Sequence, residues 1–136
     1  MKHHTKDKGD IGVGFVIADL MSKHISVCIP ISEHLPFDLV GVRDDGTLLR
    51  ISVKYRTITN GTINVALKSV YSDSKGSHKK KIDKNLIDII AIYCPDNSKI
   101  YYVNPKKFKE DIRLRILPTK NNQSKHIIFA DDYLTL

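Results

Sequence analysis

The sequence predicts an α+β domain in which an N-terminal helix packs on a mixed β-sheet. One helical pattern opens the chain, and short apolar runs separated by turn residues follow it, as in strands. With 136 residues, 41% of them hydrophobic, the chain has the length and apolar content of one domain with a real core. We therefore assign residues 1–136 to a single domain and expect the polar segment 1–7 to be mobile.

The helical pattern covers Thr5–Lys23. Its apolar positions recur at helical spacing and predict a largely buried helix. They form one stripe, Ile11, Phe15, Ala18 and Met21, widened by Val13, Val16, Ile17 and Leu20. Gly9, Gly12 and Gly14 lack the G-x-G-x-x-G spacing of a nucleotide-binding turn, so we interpret them as permitting close packing.

Seven segments are predicted to be strands, because turn residues bound their apolar runs. They are Ile25–Ile29, Phe37–Arg43, Thr47–Tyr55, Thr62–Leu67, Ile87–Tyr93, Lys99–Val103 and Ile112–Ile116. The apolar run 87–93 is typical of a strand buried on both faces, and 99–103 is its hairpin return. The other segments are helical turns at Pro105–Lys109 and Phe129–Tyr133, and loops at Val70–Lys81 and Pro118–Lys125.

Several function classes are excluded by composition. No stretch approaches the roughly 18 apolar residues of a membrane span, and the polar N-terminus does not resemble a signal peptide. We therefore expect a soluble, intracellular, cytoplasmic protein with no membrane partner. Two cysteines, Cys28 and Cys94, cannot form a disulfide framework or a cysteine zinc site, and we expect both to be buried free thiols.

The net charge of +7 is concentrated in places rather than spread evenly. One basic run is His78–Lys81, after a serine-rich stretch, and a second cluster is Lys106–Lys107. A concentrated basic patch attracts polyanions, of which nucleic acid is the commonest. A merely solvated loop explains the charge equally well, so charge alone leaves both interpretations open.

The turn between the second and third strands fixes which side chains meet. Residues 44–46, Asp-Asp-Gly, suit a three-residue loop that ends in a left-handed position, which Gly46 adopts without steric cost. Position n then pairs with position 90 − n. Asp38 is therefore predicted opposite Ser52, with Lys54 as a diagonal neighbour on the same face. A slip of one residue would place Asp38 and Lys54 on opposite faces.

An aspartate and a lysine that converge on a sheet have two interpretations. One is a cross-strand salt bridge, which contributes about 0–1 kcal/mol when exposed. The other is a metal-dependent phosphodiesterase centre, in which Asp38 and the Val53 carbonyl bind Mg²⁺, or Mn²⁺, through oxygen. There the metal would activate a water, and Lys54 would position that water or stabilise the developing negative charge.

The order of motifs along the chain resembles a known family. The matching stretches are KGDIGVGFVIADL, ISEHLPFDLVGV, LLRISVKYR, SDSKGSHKKKIDKNLIDIIAIYCPD, YYVNPKKF and FADDY, from about Lys8 to Tyr133. Together they resemble the group I intron-associated PD-(D/E)XK endonucleases, part of the PD-(D/E)XK nuclease superfamily. The resemblance implies a restriction-endonuclease-like core and a homing-type, intron-associated DNA endonuclease.

The resemblance also implies roles for individual residues. Asp38 matches the metal-binding aspartate, and Lys54 matches the catalytic lysine. Ser52 falls on the Glu or Gln of the D/E-x-K motif, a departure that replaces a carboxylate or amide by a shorter hydroxyl. Asp10, near the start of the helix, is a candidate second metal ligand, although a helix-start carboxylate also favours the helix dipole.

Double-stranded DNA is the expected partner. The predicted DNA-binding residues are Arg56, Lys68, Ser77, His78, Lys79, Lys80 and Lys81. A module of this size covers roughly 600–1,000 Å² on DNA, so a long site needs a homo-oligomer, a dimer or a tetramer. Two alternatives remain: a DNA-binding relative that has lost cleavage through Ser52, and a non-catalytic RNA-binding module.

Overall fold

The computed structural model describes residues 4–117 and 127–136. One helix, α1, spans His4–Ser22. Nine strands follow: β1 Ser26–Cys28, β2 Leu39–Val42, β3 Leu48–Tyr55, β4 Thr62–Val65, β5 Lys68–Asp73, β6 Gly76–Lys81, β7 Ile89–Cys94, β8 Lys99–Val103 and β9 Ile112–Arg115. Short 3₁₀ turns lie at Lys84–Leu86, Pro105–Lys107 and Ala130–Tyr133.

The main sheet has five strands in the order β1-β2-β3-β7-β8. β3 and β7 are parallel, and the other neighbours are antiparallel. This confirms the predicted helix on a mixed sheet. Because β7 lies at the inner position beside β3 and is covered on both faces, five of its six residues are buried.

Two cores form, one on each face of this sheet. The core under α1 includes Val16, Leu20, Leu39, Ile51 and Ala91. The core on the opposite face forms against the two-stranded β4–β9 sheet and includes Ile63, Val65, Ile90, Ile92, Ile112 and Leu114. Alternation along β3 therefore directs Ile51 and Val53 toward α1, and Ser52 and Lys54 toward the other face.

The helix is less buried than its sequence predicts. Its buried residues are Gly12, Val16 and Leu20, whereas Ile11, Phe15 and Met21 of the predicted stripe are 47–62% exposed. Only one side of the helix contacts the sheet, so a single stripe of side chains is enough to fill that contact. At Gly12 an added Cβ would lie 3.4 Å from Val53 Cγ1, which confirms close packing at that glycine.

The β2–β3 hairpin has the predicted register. Leu39 pairs with Ile51 and Val42 with Leu48, so each pair of numbers sums to 90. Gly46 adopts a φ of +86°, the left-handed conformation that the three-residue loop requires. The turn thus aligns the strand that follows Asp38 with the strand that carries Lys54.

The predicted loop at 70–81 is wrong. These residues belong to a second hairpin, β5–β6, which we call the basic ribbon. Its two strands join through Ser74 and Lys75, with Gly76 at a φ of +117°. The sequence lacks the apolar alternation of a half-buried strand, because among the described residues no other strand pairs with the ribbon.

Smaller expectations concern the chain ends and the thiols. The helix begins at His4, so part of the segment expected to be mobile is helical, and the predicted loop at 118–125 lies outside the described residues. Cys94 is buried as expected, but Cys28 is exposed because β1 is an edge strand. Among the described helices, none is long and apolar enough to cross a bilayer.

Candidate active site

Asp38 is held at the end of the β2–β3 hairpin by two hydrogen bonds. Its backbone N–H donates to the Ile51 carbonyl at 2.9 Å, and its carboxylate Oδ2 accepts the Val53 N–H at 2.7 Å. The carboxylate therefore lies against the middle of β3, next to the residue whose carbonyl is the predicted metal ligand. Asp38 remains exposed, so a ligand can reach it.

Lys54 lies on β3 beside Ile92 of β7 and is partly buried. Burial and the nearby charge of Arg56 lower the pKa of the Lys54 ammonium, and the negative charge of Asp38 opposes that shift. The three charged groups are therefore close enough to influence one another.

Asp38 and Lys54 do not form a salt bridge, since the ion pairs of the described chain do not include them. The cross-strand salt bridge, which was the first interpretation of this pair, is thus not formed. The Asp38 carboxylate accepts a backbone N–H instead, and the Lys54 ammonium stays available to another anion.

Two adjoining pockets form a groove between the start of α1 and β3, which we call the active-site groove. One pocket, of about 390 Å³, is lined by Lys6, Gly9, Asp10, Val13, Glu33, Asp38 and Val53. The other, of about 350 Å³, is lined by Thr5, Lys8, Gly9, Val53, Lys54, Tyr55 and Arg56. Because they share Gly9 and Val53, predicted site residues from three parts of the chain meet in one place.

The groove brings a candidate second carboxylate to Asp38 and adds a third. Asp10 was the sequence candidate, and it lines the same pocket as Asp38. Glu33 lines that pocket too, although no periodic pattern in the sequence indicates it. Carboxylate and carbonyl oxygens are the ligands of hard divalent cations, so the donor types fit such an ion.

The carboxylates of the groove do not form a complete set of metal ligands by themselves. Within residues 4–117 and 127–136, no three His, Cys, Asp or Glu side chains are close enough to hold an ion by themselves. A cation here would therefore be held by Asp38 together with the Val53 carbonyl, with Asp10 or Glu33 as further ligands.

Ser52 is the predicted site residue that the structure does not bring into the groove. Its exposed fraction is 5%, and it lines neither of the two pockets. Its strand register sets it beside Ile90 of β7, on the face of β3 that points away from α1. The acidic residues that line the groove beside Asp38 are instead Asp10 and Glu33.

The predicted DNA-binding residues occupy two regions. Arg56 lines the active-site groove, whereas Lys68, Ser77, His78, Lys79, Lys80 and Lys81 lie on the basic ribbon. Lys68 and Lys81 also line a pocket of about 500 Å³ at the base of the ribbon. On the ribbon, Ser77 Oγ lies 3.1 Å from Ser72 Oγ, and His78 Nε2 lies 2.9 Å from Asp73 Oδ1.

One further basic residue was missed in the sequence. Arg113 on β9 is exposed, and the Asn64 side chain accepts a hydrogen bond from its Nε at 3.0 Å. Arg113, Asn64 and Arg56 line a common pocket of about 660 Å³. The alternation in Ile112-Arg113-Leu114-Arg115 is the signal that could have identified it, since it turns arginines away from a buried face.

Comparisons with known proteins agree with this geometry. A profile of the PD-(D/E)XK endonuclease family matches residues 3–136. The fold is similar to that of a solved structure described as a bacterial homing endonuclease, I-Ssp6803I, with a TM-score of 0.78 and 20% identity over 96% of this chain and 88% of that chain. No curated protein matches significantly. Since the profile spans the domain, the predicted resemblance is confirmed: the chain belongs to the PD-(D/E)XK endonuclease family and is a nuclease.

Proposed function

We propose that this nuclease hydrolyses phosphodiester bonds of double-stranded DNA and depends on Mg²⁺, with Mn²⁺ as a substitute. Nucleases of this family generally use divalent metals. The observation that carries the proposal is the meeting of Asp38 and Lys54 in one open groove without a salt bridge. A carboxylate and an ammonium held apart in this way can act on a third group between them.

Each groove residue has a separate proposed task. Asp38, fixed by the Val53 N–H, would hold the cation, with Asp10 or Glu33 completing the acidic side of the groove. When bound, such a cation polarises the phosphate and favours ionisation of the attacking water. Lys54 would position the water or stabilise the negative charge that develops on the phosphate. Arg56 would bind a neighbouring phosphate.

The homing type, a location inside an intron and a homo-oligomeric state are parts of the same proposal. The relative with the similar fold is described as a homing endonuclease. A single module covers roughly 600–1,000 Å² on DNA, which is too little to specify a long site. A dimer or tetramer would present two grooves to the two strands.

The proposal can be tested with supercoiled plasmid in Mg²⁺ and in EDTA. We expect nicking or linearisation in Mg²⁺ alone. Asp38→Asn and Lys54→Ala should each slow cleavage by at least about 100-fold, because each removes a group that acts on the developing charge. The matched control is Lys99→Ala, because Lys99 lies on β8 and pairs with Asp131.

Each of the other outcomes would favour a different function for the protein. Cleavage that persists in EDTA and in Lys54→Ala would contradict the assignment. Salt-sensitive duplex binding without cleavage would favour the relative that has lost activity, and gain of cleavage in Ser52→Gln would support that alternative. Preference for single-stranded RNA over duplex DNA would favour the RNA-binding module.

A further inference from the structure

The active-site groove continues beyond Lys54 to the base of the basic ribbon. Arg56 lines both the active-site groove and the adjoining pocket that contains Arg113. That pocket shares Glu110 and Asp111 with the pocket at the base of the ribbon. A single line of pockets therefore connects the proposed cleavage site to Lys68 and Lys81.

This line of pockets is predominantly basic. Its cationic side chains beyond Lys54 are Arg56, Arg113, Lys68, Lys81, Lys84 and Lys109. Three acids interrupt it, Asp83, Glu110 and Asp111. The Asp83 carboxylate accepts the Asn85 N–H at 2.9 Å, and the Asp111 carboxylate accepts the Leu67 N–H at 3.2 Å. Such a basic track suits the sugar–phosphate backbone of a nucleic acid.

The ribbon is not self-sufficient as a folded element. A two-stranded hairpin alone is at best marginally stable in water. Here Lys68 and Lys81 lie directly opposite each other and are both exposed, and like charges in that arrangement are destabilising. A bound anion between the two ammonium groups would relieve that repulsion, so the ribbon gains order from a polyanionic partner.

The two faces of the ribbon differ. Strand register places Lys68, Ser72, Ser77 and Lys81 on one face. The two serine hydroxyls on that face are 3.1 Å apart. Asp73 and His78 pair with each other on the opposite face. The register places Lys80 on that opposite face too. Because Lys68 and Lys81 also line the pocket at the ribbon base, the face of Lys68, Ser72, Ser77 and Lys81 is the one that adjoins the basic track.

The dimensions of the ribbon match the major groove of DNA. Paired strands lie about 4.8 Å apart, and six residues extend over roughly 20 Å. The major groove is about 12 Å wide and admits a two-stranded β-ribbon. The minor groove, at about 6 Å, is too narrow for it.

We propose that the basic ribbon enters the major groove of the duplex whose backbone lies along the basic track, with Lys68, Ser72, Ser77 and Lys81 toward the DNA. This inference rests on the proposed DNA-cleaving function and adds the element that engages the bases next to the cleavage point. Lys68 and Lys81 would bind phosphates at the edges of the groove, and the serine hydroxyls would reach base edges.

The first test measures duplex binding in EDTA, where cleavage is absent. The probe is a fluorescent duplex of random sequence, and the affinity is followed as the salt concentration rises. In Lys68→Gln/Lys81→Gln, the slope of log affinity against log salt should fall by about 2, close to one unit per phosphate contact. The charge-matched control, Arg43→Gln/Lys99→Gln, changes residues outside the basic track and should keep the wild-type slope.

The second test uses the same duplex with glucosylated 5-hydroxymethylcytosine, whose sugar fills the major groove. Wild type and control should bind it at least about tenfold more weakly than the plain duplex, because the ribbon is blocked. In Lys68→Gln/Lys81→Gln, the ratio of the affinity for the plain duplex to the affinity for the glucosylated duplex should be much smaller. Circular dichroism melting checks that all variants fold, which is expected because neither Lys68 nor Lys81 belongs to a core.

The outcomes separate this inference from the proposed function. If wild type binds no duplex at all, the proposed function itself fails. If wild type binds and the ribbon variant retains its slope, the function stands but the ribbon placement is overturned. If the slope falls while glucosylation changes nothing, the ribbon contacts phosphates without entering the major groove, and the proposal is likewise overturned.

Discussion

The chain contains two hairpins that look alike in outline and differ in what holds them. The β2–β3 hairpin lies inside the five-stranded sheet, with Leu39 and Ile51 fully buried beneath α1. The basic ribbon pairs with no other described strand, and both of its strands carry exposed polar side chains. Each turn contains one glycine at positive φ, Gly46 in the first and Gly76 in the second.

The β2–β3 hairpin is therefore part of the rigid framework of the domain, whereas the basic ribbon is an element that can adjust. Apolar burial fixes the β2–β3 register, and that register holds Asp38 against β3. No described side chain of the ribbon belongs to either core, and a two-stranded hairpin alone is at best marginally stable in water. A nuclease needs both properties, because cleavage requires fixed groups, whereas contact with a long polyanion requires an element that can adjust.

The largest difference expected between the two hairpins comes from substituting their turn glycines. Both have open space around the missing Cβ, so a side chain there costs backbone strain alone. Gly46→Val should lower the free energy of unfolding by about 1–2 kcal/mol, because the left-handed conformation disfavours a β-branched residue and the core holds that turn in place. Thermal melting with cleavage assays measures both consequences.

Gly76→Val is the matched control, with the same chemical change in the other turn. No described side chain of the ribbon belongs to either core, so we expect the ribbon to open locally without exposing them. The Tm should then stay at the wild-type value while duplex affinity falls. A drop in Tm equal to that of Gly46→Val would show that the ribbon belongs to the cooperative framework, and the contrast between the hairpins would be lost.

The same contrast explains how much of the fold could be predicted. The turn chemistry of residues 44–46 and the alternation of β3 are local signals, and they predict the observed register of the β2–β3 hairpin. The ribbon carries no such signal, because its segments KSVYSD and GSHKKK do not alternate apolar and polar residues. The burial of the α1 stripe was overestimated for a related reason. The sequence shows which residues are apolar, but it does not show that the sheet covers only one side of the helix.

Electrostatic coupling should also distinguish the two regions. Lys54 is partly buried, and the Arg56 charge helps to lower its pKa. If the charged ammonium is the active form, cleavage declines at alkaline pH as that proton is lost. Arg56→Gln removes a repulsive charge, raises the Lys54 pKa and should move this decline to higher pH, with a several-fold lower plateau from the lost phosphate contact. The measurement is the single-turnover cleavage rate against pH.

Lys80→Gln provides the comparison from the ribbon. Lys80 is exposed, so solvent and salt screen its charge from the groove, and its substitution should leave the pH profile in place. An unmoved profile in Arg56→Gln would mean that Lys54 is not the group whose ionisation limits the rate.

The site itself was only partly predictable. Asp38 and Lys54 followed from the register, whereas Glu33 lies in an irregular segment between Pro30 and Pro36, where no period indicates which way a side chain faces. Ser52 matched a motif position, yet its depth in the sheet depends on the packing of β7 beside β3. Motif spacing therefore located the groove, and tertiary packing decided which residues line it.

The smallest expected effect concerns two aspartates that each pair with a basic side chain, one near each hairpin. Asp88 accepts two hydrogen bonds from the Arg50 guanidinium, at 3.0 Å each, and ties the start of β7 to β3. The hydrogen bond from Arg50 lowers the Asp88 pKa below its ordinary value of 3.8. The folded protein thus holds this proton less tightly than the unfolded chain, so the pair stabilises the fold above that value and the contribution is lost as pH falls through the lowered pKa.

Asp88→Asn should therefore lower the Tm near neutral pH by about 2 °C, as befits a partly exposed pair, and the gap to wild type should close toward pH 3. Asp73→Asn, which breaks the exposed pair with His78 in the ribbon, should leave the Tm unchanged at every pH, because unfolding of the cores does not depend on that pair. Equal losses in the two variants would mean that ribbon and framework unfold together. A loss confined to Asp88→Asn would place the acid-sensitive part of the stability at the strand pair that carries Lys54.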